Sequence, residues 1–418
     1  MKKLAIAISA ALMATSAYAL DSNVQTIPDG DLGHSIRVID ELYDNNSVID
    51  IENSSHNGPL VVTQSSGFFG SHQSAVLTFK DSQSSSVAFT QVGSHNQSDI
   101  AMDDSDGNRI VSSQNHIGHK AVIKADNSDG NTLKVEQTGR FNKALIKADN
   151  SDNNFLAVDQ SDHSNVALIS AEDSNFNGSV INQSGAHNKA DVSLKRSNEN
   201  LTHAFQSGDH NTATQTLTDA NDNGAAAYQR GDDNISTQTI TDSFWNSAIT
   251  VQDGDDNNSV QNINSVRGGN HLDTNQSGDD NDSRINVLVS SGGNIVDVDQ
   301  SGDDNISRVL ITGRSDDNMV DVDQSGDDNF SRIRLTASSD DNMVYIDQGG
   351  NYNISNVNIT GDSDYNMVDV AQNGNYSLSK VDMINDSDNN SVSVTQTAYD
   401  YSNVHINGQS NQVEVYQY

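Results

Sequence analysis

Residues 318–341 read NMVDVDQSGDDNFSRIRLTASSDD, and residues 294–317 before them read NIVDVDQSGDDNISRVLITGRSDD. With Gln324 as reference, Asn318 stands six residues before, Gly326 two after, Asn329 five after and Ser331 seven after. Asn318, Val320, Val322 and Gln324 share one parity, whereas Met319, Asp321 and Asp323 take the other. A period of two with β-branched residues on one side is the pattern of a half-buried strand. Past a turn at residues 325–328, the same alternation assigns Asn329, Ser331, Ile333 and Leu335 to an inner face. A second polar turn, residues 337–341, leads to Asn342 and the next unit. Each unit therefore reads strand–turn–strand–turn, and no apolar stripe of helical period competes with it.

The pattern N-x5-Q-x-G-x2-N-x-[AS] extends outward along nearly the whole chain. Its glutamine column runs Gln64, Gln91, Gln114, Gln137, Gln160, Gln183, Gln206, Gln229, Gln252, Gln276, Gln300, Gln324, Gln348, Gln372, Gln396 and Gln417, with Glu41 in the first position. That makes sixteen full repeats and a half-repeat, residues 411–417, within a repeat region spanning residues 35–418. The step is 23 residues from Gln91 to Gln252 and 24 from Gln252 to Gln396. The 27-residue step from Gln64 to Gln91 fits a four-residue insertion around residues 66–69, after which Gly70, Gln73 and Ala75 return to register. The extra residue of the longer units falls in the second turn, since Asn188 to Asn200 is 12 and Asn329 to Asn342 is 13. The predicted fold is an all-β solenoid with two parallel, in-register sheets, amyloid-like in its cross-β stacking. A single rung cannot bury its apolar face, so neighbouring rungs must supply the stability.

The inward amides need partners, because burying an unpaired amide is costly. A ladder supplies them: each side chain donates to its equivalent on one neighbouring rung and accepts from the other. The glutamines from Gln91 to Gln396 are the expected ladder, with a second column of Asn142, Asn188, Asn211, Asn234, Asn257, Asn281, Asn305 and Asn329. The leading Asn column is unbroken from Asn108 to Asn411, and small residues from Ala121 to Ser379 keep the sheets close. Asn411, Val413, Val415 and Gln417 form the half-repeat expected to present a polymer end.

These columns resemble the curlin family, the subunits of curli fibres, whose repeats follow S-x5-Q-x-G-x2-N-x-A-x3-Q. The likeness covers residues 35–418, with Asn usually replacing the leading Ser, and extends to the closing VEVYQY of residues 413–418. The family's last inward Gln is apolar here, as at Leu194, Leu217, Ile240, Ile311, Leu335 and Ile359, and the repeats are about three times as many as usual. The resemblance implies a secreted subunit that polymerises with itself into functional amyloid of the biofilm matrix, serving adhesion and cell aggregation. It also implies export through an outer-membrane secretion pore, a minor nucleator subunit as partner, and no cofactor.

Composition narrows the alternatives. Lys2 and Lys3, the apolar run at residues 4–13 and the A-x-A site at Ala17-Tyr18-Ala19 read as a cleaved signal peptide over residues 1–19. Residues 20–34 follow as a targeting segment, or as a junction strand in which Asn23, Gln25 and Ile27 continue the spacing until Pro28 and Asp29 interrupt it. No later run reaches the roughly 18 apolar residues of a membrane span. A net charge of -36 disfavours nucleic acid and anionic membranes as partners. With no cysteine, no disulfide framework holds the exported chain together. Short, nearly identical turns offer no cleft, so an enzyme is not expected. The turn carboxylates Asp303, Asp304, Asp327 and Asp328 are candidates for calcium, although the nonapeptide of calcium β-rolls is absent. Thr214, Thr216 and Thr218 line up with Thr237, Thr239 and Thr241 in the manner of an ice-binding face, over only two rungs. His187 and His210 stand one rung apart without a third histidine beside them.

Overall fold

The computed structural model describes residues 36–418 apart from residues 42–44, 52–59, 67–72, 81–84, 104–105, 128 and 265–267. Residues 1–19, read as a signal peptide, and the segment at residues 20–34 lie outside the described residues. Among those described, every regular element is a strand, and no helix is long and apolar enough to cross a membrane. The chain forms two compact units, Met1–Glu172 and Asp173–Tyr418.

In the second unit each rung contributes one strand to each of two parallel sheets. Ile295–Ser301 pairs with Met319–Ser325, placing Val296 beside Val320 and Gln300 beside Gln324. Ile306–Thr312 pairs with Phe330–Thr336, placing Ser307 beside Ser331. The register matches the sequence columns residue for residue. The first unit is built alike: Ser86–Ser94, Arg109–Ile117 and Thr132–Arg140 lie side by side in one sheet. Gln97–Asp103, Lys120–Ile123 and Lys143–Asp149 do so in the other. The fold is therefore a β-solenoid.

The core lies between the two sheets. Val296, Val298, Val320 and Val322 from one and Val309, Ile311, Ile333 and Leu335 from the other are fully buried. Small residues let polar groups bridge the sheets directly, as where Thr250 Oγ1 and Ser259 Oγ sit 3.1 Å apart. Alternation fixes this arrangement, because a one-residue slip would turn every apolar side chain outward.

That principle corrects the first rung. Asp40, not Glu41, stands beside Gln64, while Glu41 pairs with Ser65. This register puts Ile36 beside Leu60 and Val38 beside Val62. The insertion is absorbed as expected: Gln64 pairs with Gln91, and past it Ala75 pairs with Ser98. Gly70 lies outside the described residues.

The two unit lengths differ by one turn residue of unusual conformation. The second turn of the 23-residue rungs opens on one left-handed residue, such as Asp219 at φ 50°. The 24-residue rungs use two in succession: Val289 and Ser290, Gly313 and Arg314, Ala337 and Ser338, Gly361 and Asp362, Asn385 and Asp386. In the first turn, Gly302 adopts φ 98°, and a Cβ there would lie 2.3 Å from the Gly326 carbonyl oxygen. Only glycine combines that φ with so close an approach of two backbones.

Candidate functional site: amide ladders and charged faces

The glutamine column is a continuous chain of side-chain hydrogen bonds within each unit. Gln300 Nε2 donates to Gln324 Oε1 at 2.9 Å, Gln324 to Gln348 at 2.7 Å and Gln348 to Gln372 at 2.8 Å. Gln372 donates to Gln396, and Gln396 to Gln417, both at 2.9 Å. In the first unit the same series runs Gln64, Gln91, Gln114, Gln137, Gln160. The second amide hydrogen crosses to the facing sheet: Gln324 Nε2 also donates to the Ile306 carbonyl at 3.2 Å. Every glutamine from Gln64 to Gln396 in this column is buried. Both donors and the acceptor are thus used, which is the condition for an amide in a dry core.

The asparagine columns run in the opposite sense. Asn318 donates both its backbone N–H and its Nδ2 back to Asn294 Oδ1, each at 3.0 Å. In the second column, Asn305 and Asn329 donate their backbone N–H groups to Asn281 and Asn305 Oδ1, each at 3.1 Å, and Asn305 Nδ2 reaches the Gly326 carbonyl at 2.7 Å. Asn142, Asn188, Asn211, Asn234, Asn257, Asn281, Asn305 and Asn329 are all buried in these roles. Asparagine here satisfies the turn backbone as well as its own column, whereas glutamine links side chain to side chain and to the facing sheet.

Several ladder members escaped the repeat pattern. His119 fills an asparagine position: its backbone N–H donates to Asn96 Oδ1 at 3.0 Å, and its Nδ1 accepts from the Asn142 N–H at 3.3 Å. Burial lowers the pKa of this histidine, keeping the ring neutral so that a nitrogen can accept. Gln215, Gln238 and Gln261 form a second glutamine ladder in the opposite sheet, with bonds of 2.9 and 3.1 Å. A serine column closes the second turn, the Ser339 N–H reaching Ser315 Oγ at 3.2 Å. The parity of Gln215 within its strand was the available signal for the second ladder.

The acidic turns form ladders of their own. The Asp279 N–H donates to Asp303 Oδ1 at 3.0 Å, and the Asp303 N–H to Asp327 Oδ1 at 3.2 Å. The second carboxylate of each pair, Asp304 and Asp328, sits on a left-handed residue at the turn tip. Burial, then Asp280 and Asp328, raises the Asp304 pKa. Among the described residues no group of three or more His, Cys, Asp or Glu is arranged to hold a metal ion. His187 and His210 stack with ring centroids 4.9 Å apart, and both are exposed. Thr214, Thr216 and Thr218 do pair with Thr237, Thr239 and Thr241 on the next strand.

Carboxylates also crowd the outer face of the first sheet. Asp273 lies beside Asp297, Asp297 beside Asp321, and Asp299 beside Asp323, which adjoins Asp347. The Asp297 carboxyl, though its residue remains exposed, is pushed up to about 6 by partial desolvation and then by Asp299, Asp273 and Asp321.

The last strand, Gln412–Gln417, pairs with Ser391–Gln396 on one side only, and no strand among the described residues lies on its other side. Val413, Val415 and Gln417 are half-buried and Asn411 exposed, whereas Val392, Val394 and Gln396 one rung earlier are fully buried. Gln417 accepts from Gln396 and turns its own Nε2 to the Tyr401 carbonyl at 2.9 Å. A further strand added here would meet Gln417 and the half-buried Val413 and Val415, but no facing strand beyond Tyr401–Ile406 among the described residues. No protein-family model matches the chain and no curated protein is similar to it, so the geometry of the ladders carries the functional reading.

Proposed function

We propose that the chain is a secreted structural subunit, akin to the curlins, that polymerises with itself into an amyloid-like fibre of the extracellular matrix for adhesion and cell aggregation. The observation that carries the reading is the unbroken side-chain ladder through Gln183–Gln417, in which each rung presents its neighbour with the hydrogen-bonding groups that it receives itself. Ladders of Asn and Gln also add to the stacking of cross-β fibres, in which identical strands continue from one molecule to the next. In this reading the Gln412–Gln417 strand is the growing edge, export uses an outer-membrane pore, and a minor subunit nucleates growth.

Residues 20–418, purified and held at micromolar concentration in physiological salt, should form unbranched fibres. Electron microscopy with fibre diffraction should give reflections near 4.7–4.8 Å and ~10 Å. Replacing Val413 and Val415 with Asp should abolish growth. A chain that stays monomeric for days under these conditions refutes the proposal.

A further inference from the structure

The outer face of the second sheet carries an arginine strip that the ladders do not explain. Arg284, Arg308 and Arg332 occupy one column on three successive strands, and Arg334 stands two residues beyond Arg332 on the same face. Three of the four are exposed, and Arg308 is half-exposed. They rim a shallow depression of about 300 Å³ over Leu310 and Phe330. Arg308 is held by Asp282, with Nη2 to Oδ2 at 2.5 Å. Arg284, Arg332 and Arg334 make no ion pair among the described residues. Like charges stacked at the rung spacing repel one another unless an anion comes between them. In a chain with 58 acidic and 22 basic residues, such a concentration of unpaired arginine is not a general surface property.

The complementary surface lies on the same rungs but on the other sheet, where the arginines cannot reach it within one molecule. Asp273, Asp297, Asp299, Asp321, Asp323 and Asp347 line the outer face of the strands from His271–Ser277 to Met343–Gln348. Both strips belong to parallel, in-register sheets, so their charges recur at one common spacing of ~4.8 Å per strand.

We propose that the arginine strip of one copy docks on the aspartate strip of a second copy, so that solenoids associate side by side. Rung-for-rung matching follows from the common spacing, and carboxylates that crowd one another on one face gain arginine partners on the other. The contact is heterologous, since each copy keeps its second strip free, and it propagates laterally rather than closing as a dimer. At physiological ionic strength the Debye length of about 8 Å screens the net repulsion between two acidic chains but not pairs in contact. The inference rests on the charged faces and not on end-to-end growth.

A charge exchange tests it. One variant carries Arg284→Glu, Arg332→Glu and Arg334→Glu; the other carries Asp297→Arg, Asp299→Arg and Asp323→Arg. Circular dichroism establishes that both retain the β-solenoid, and sedimentation with electron microscopy reads lateral association. Wild type should associate side by side, each variant alone should need roughly tenfold higher concentration, and a mixture of the two should recover wild-type behaviour. Val413→Asp with Val415→Asp should leave side-by-side association intact even where fibre growth is lost, which separates this inference from the fibre reading. Undiminished association of the Glu variant, or failure of the mixture to recover, overturns the proposal. So does wild type that binds a short DNA duplex through the strip and never pairs with itself, which would assign the strip to a polyanion.

Discussion

Gln324 accepts a hydrogen bond from Gln300 and donates to both Gln348 and the Ile306 carbonyl. Gln324→Leu would strand a donor and two acceptors in a dry core, at about 1–3 kcal/mol for each. A loss of several kcal/mol is expected, read as weakened hydrogen-exchange protection of the adjoining rungs, because long repeat arrays do not unfold in one step. Ser283→Ala should do the reverse. The Ser283 hydroxyl is buried without a partner, and its column holds Ala213 three strands earlier. Removing it should raise stability by about 1 kcal/mol, measured by the same protection factors. At this scale the recurring residues were readable because a ladder needs the same side chain on every rung. His119 was not, since only the geometry places a neutral imidazole nitrogen where an amide oxygen otherwise sits.

At the scale of the strand and its turn, conformation rather than side-chain chemistry sets the cost. Val289 occupies the left-handed position held 24 residues later by Gly313 and twice 24 later by Ala337. Left-handed backbone costs a side-chain-bearing residue about 1–2 kcal/mol, and β-branching adds to the crowding. Val289→Gly should therefore raise the melting temperature, since the residue is exposed and little packing is lost. Gly302→Ala should lower it, because its Cβ would meet the Gly326 carbonyl oxygen. Strand positions and the second-turn location of the extra residue follow from counting between asparagines. The paired left-handed residues that accommodate it do not, because Val, Gly, Ala and Asn share that position and no residue type marks it.

For the molecule, charge opposes the stack that the ladders hold together. A carboxyl raised by its folded surroundings, such as Asp297 at about 6, binds a proton more readily folded than unfolded. Its stabilising effect is complete below the ordinary carboxylate range and is lost as pH rises through about 6. Asp321 and Asp323 are raised too, chiefly by burial and then by neighbouring carboxylates, while His271 acts against the shift at Asp297. The solenoid should thus be more stable, and fibres should grow faster, at pH 5 than at pH 7.5. Asp297→Asn should flatten the difference, as thermal melts and lag times at the two pH values would record. Melting temperatures and lag times indifferent to pH would refute this account.

The all-β class, the two-strand rung, the inward columns and the place of both turns are legible in the residues alone, because period-two alternation and a fixed repeat length leave one consistent stacking. In the first rung Glu41 matches the spacing, but Asp40 is the residue that stands beside Gln64. How the buried amides share their bonds follows from the folded geometry alone: each column glutamine donates to the next glutamine, whereas asparagines donate back to the preceding asparagine's Oδ1 and forward to turn carbonyls. The tertiary structure alone also separated the arginine strip from the aspartate strip. Residues such as Asp297 and Arg308 are 11 positions apart in sequence yet lie on opposite outer faces, because the turn between them carries the chain from one sheet to the other.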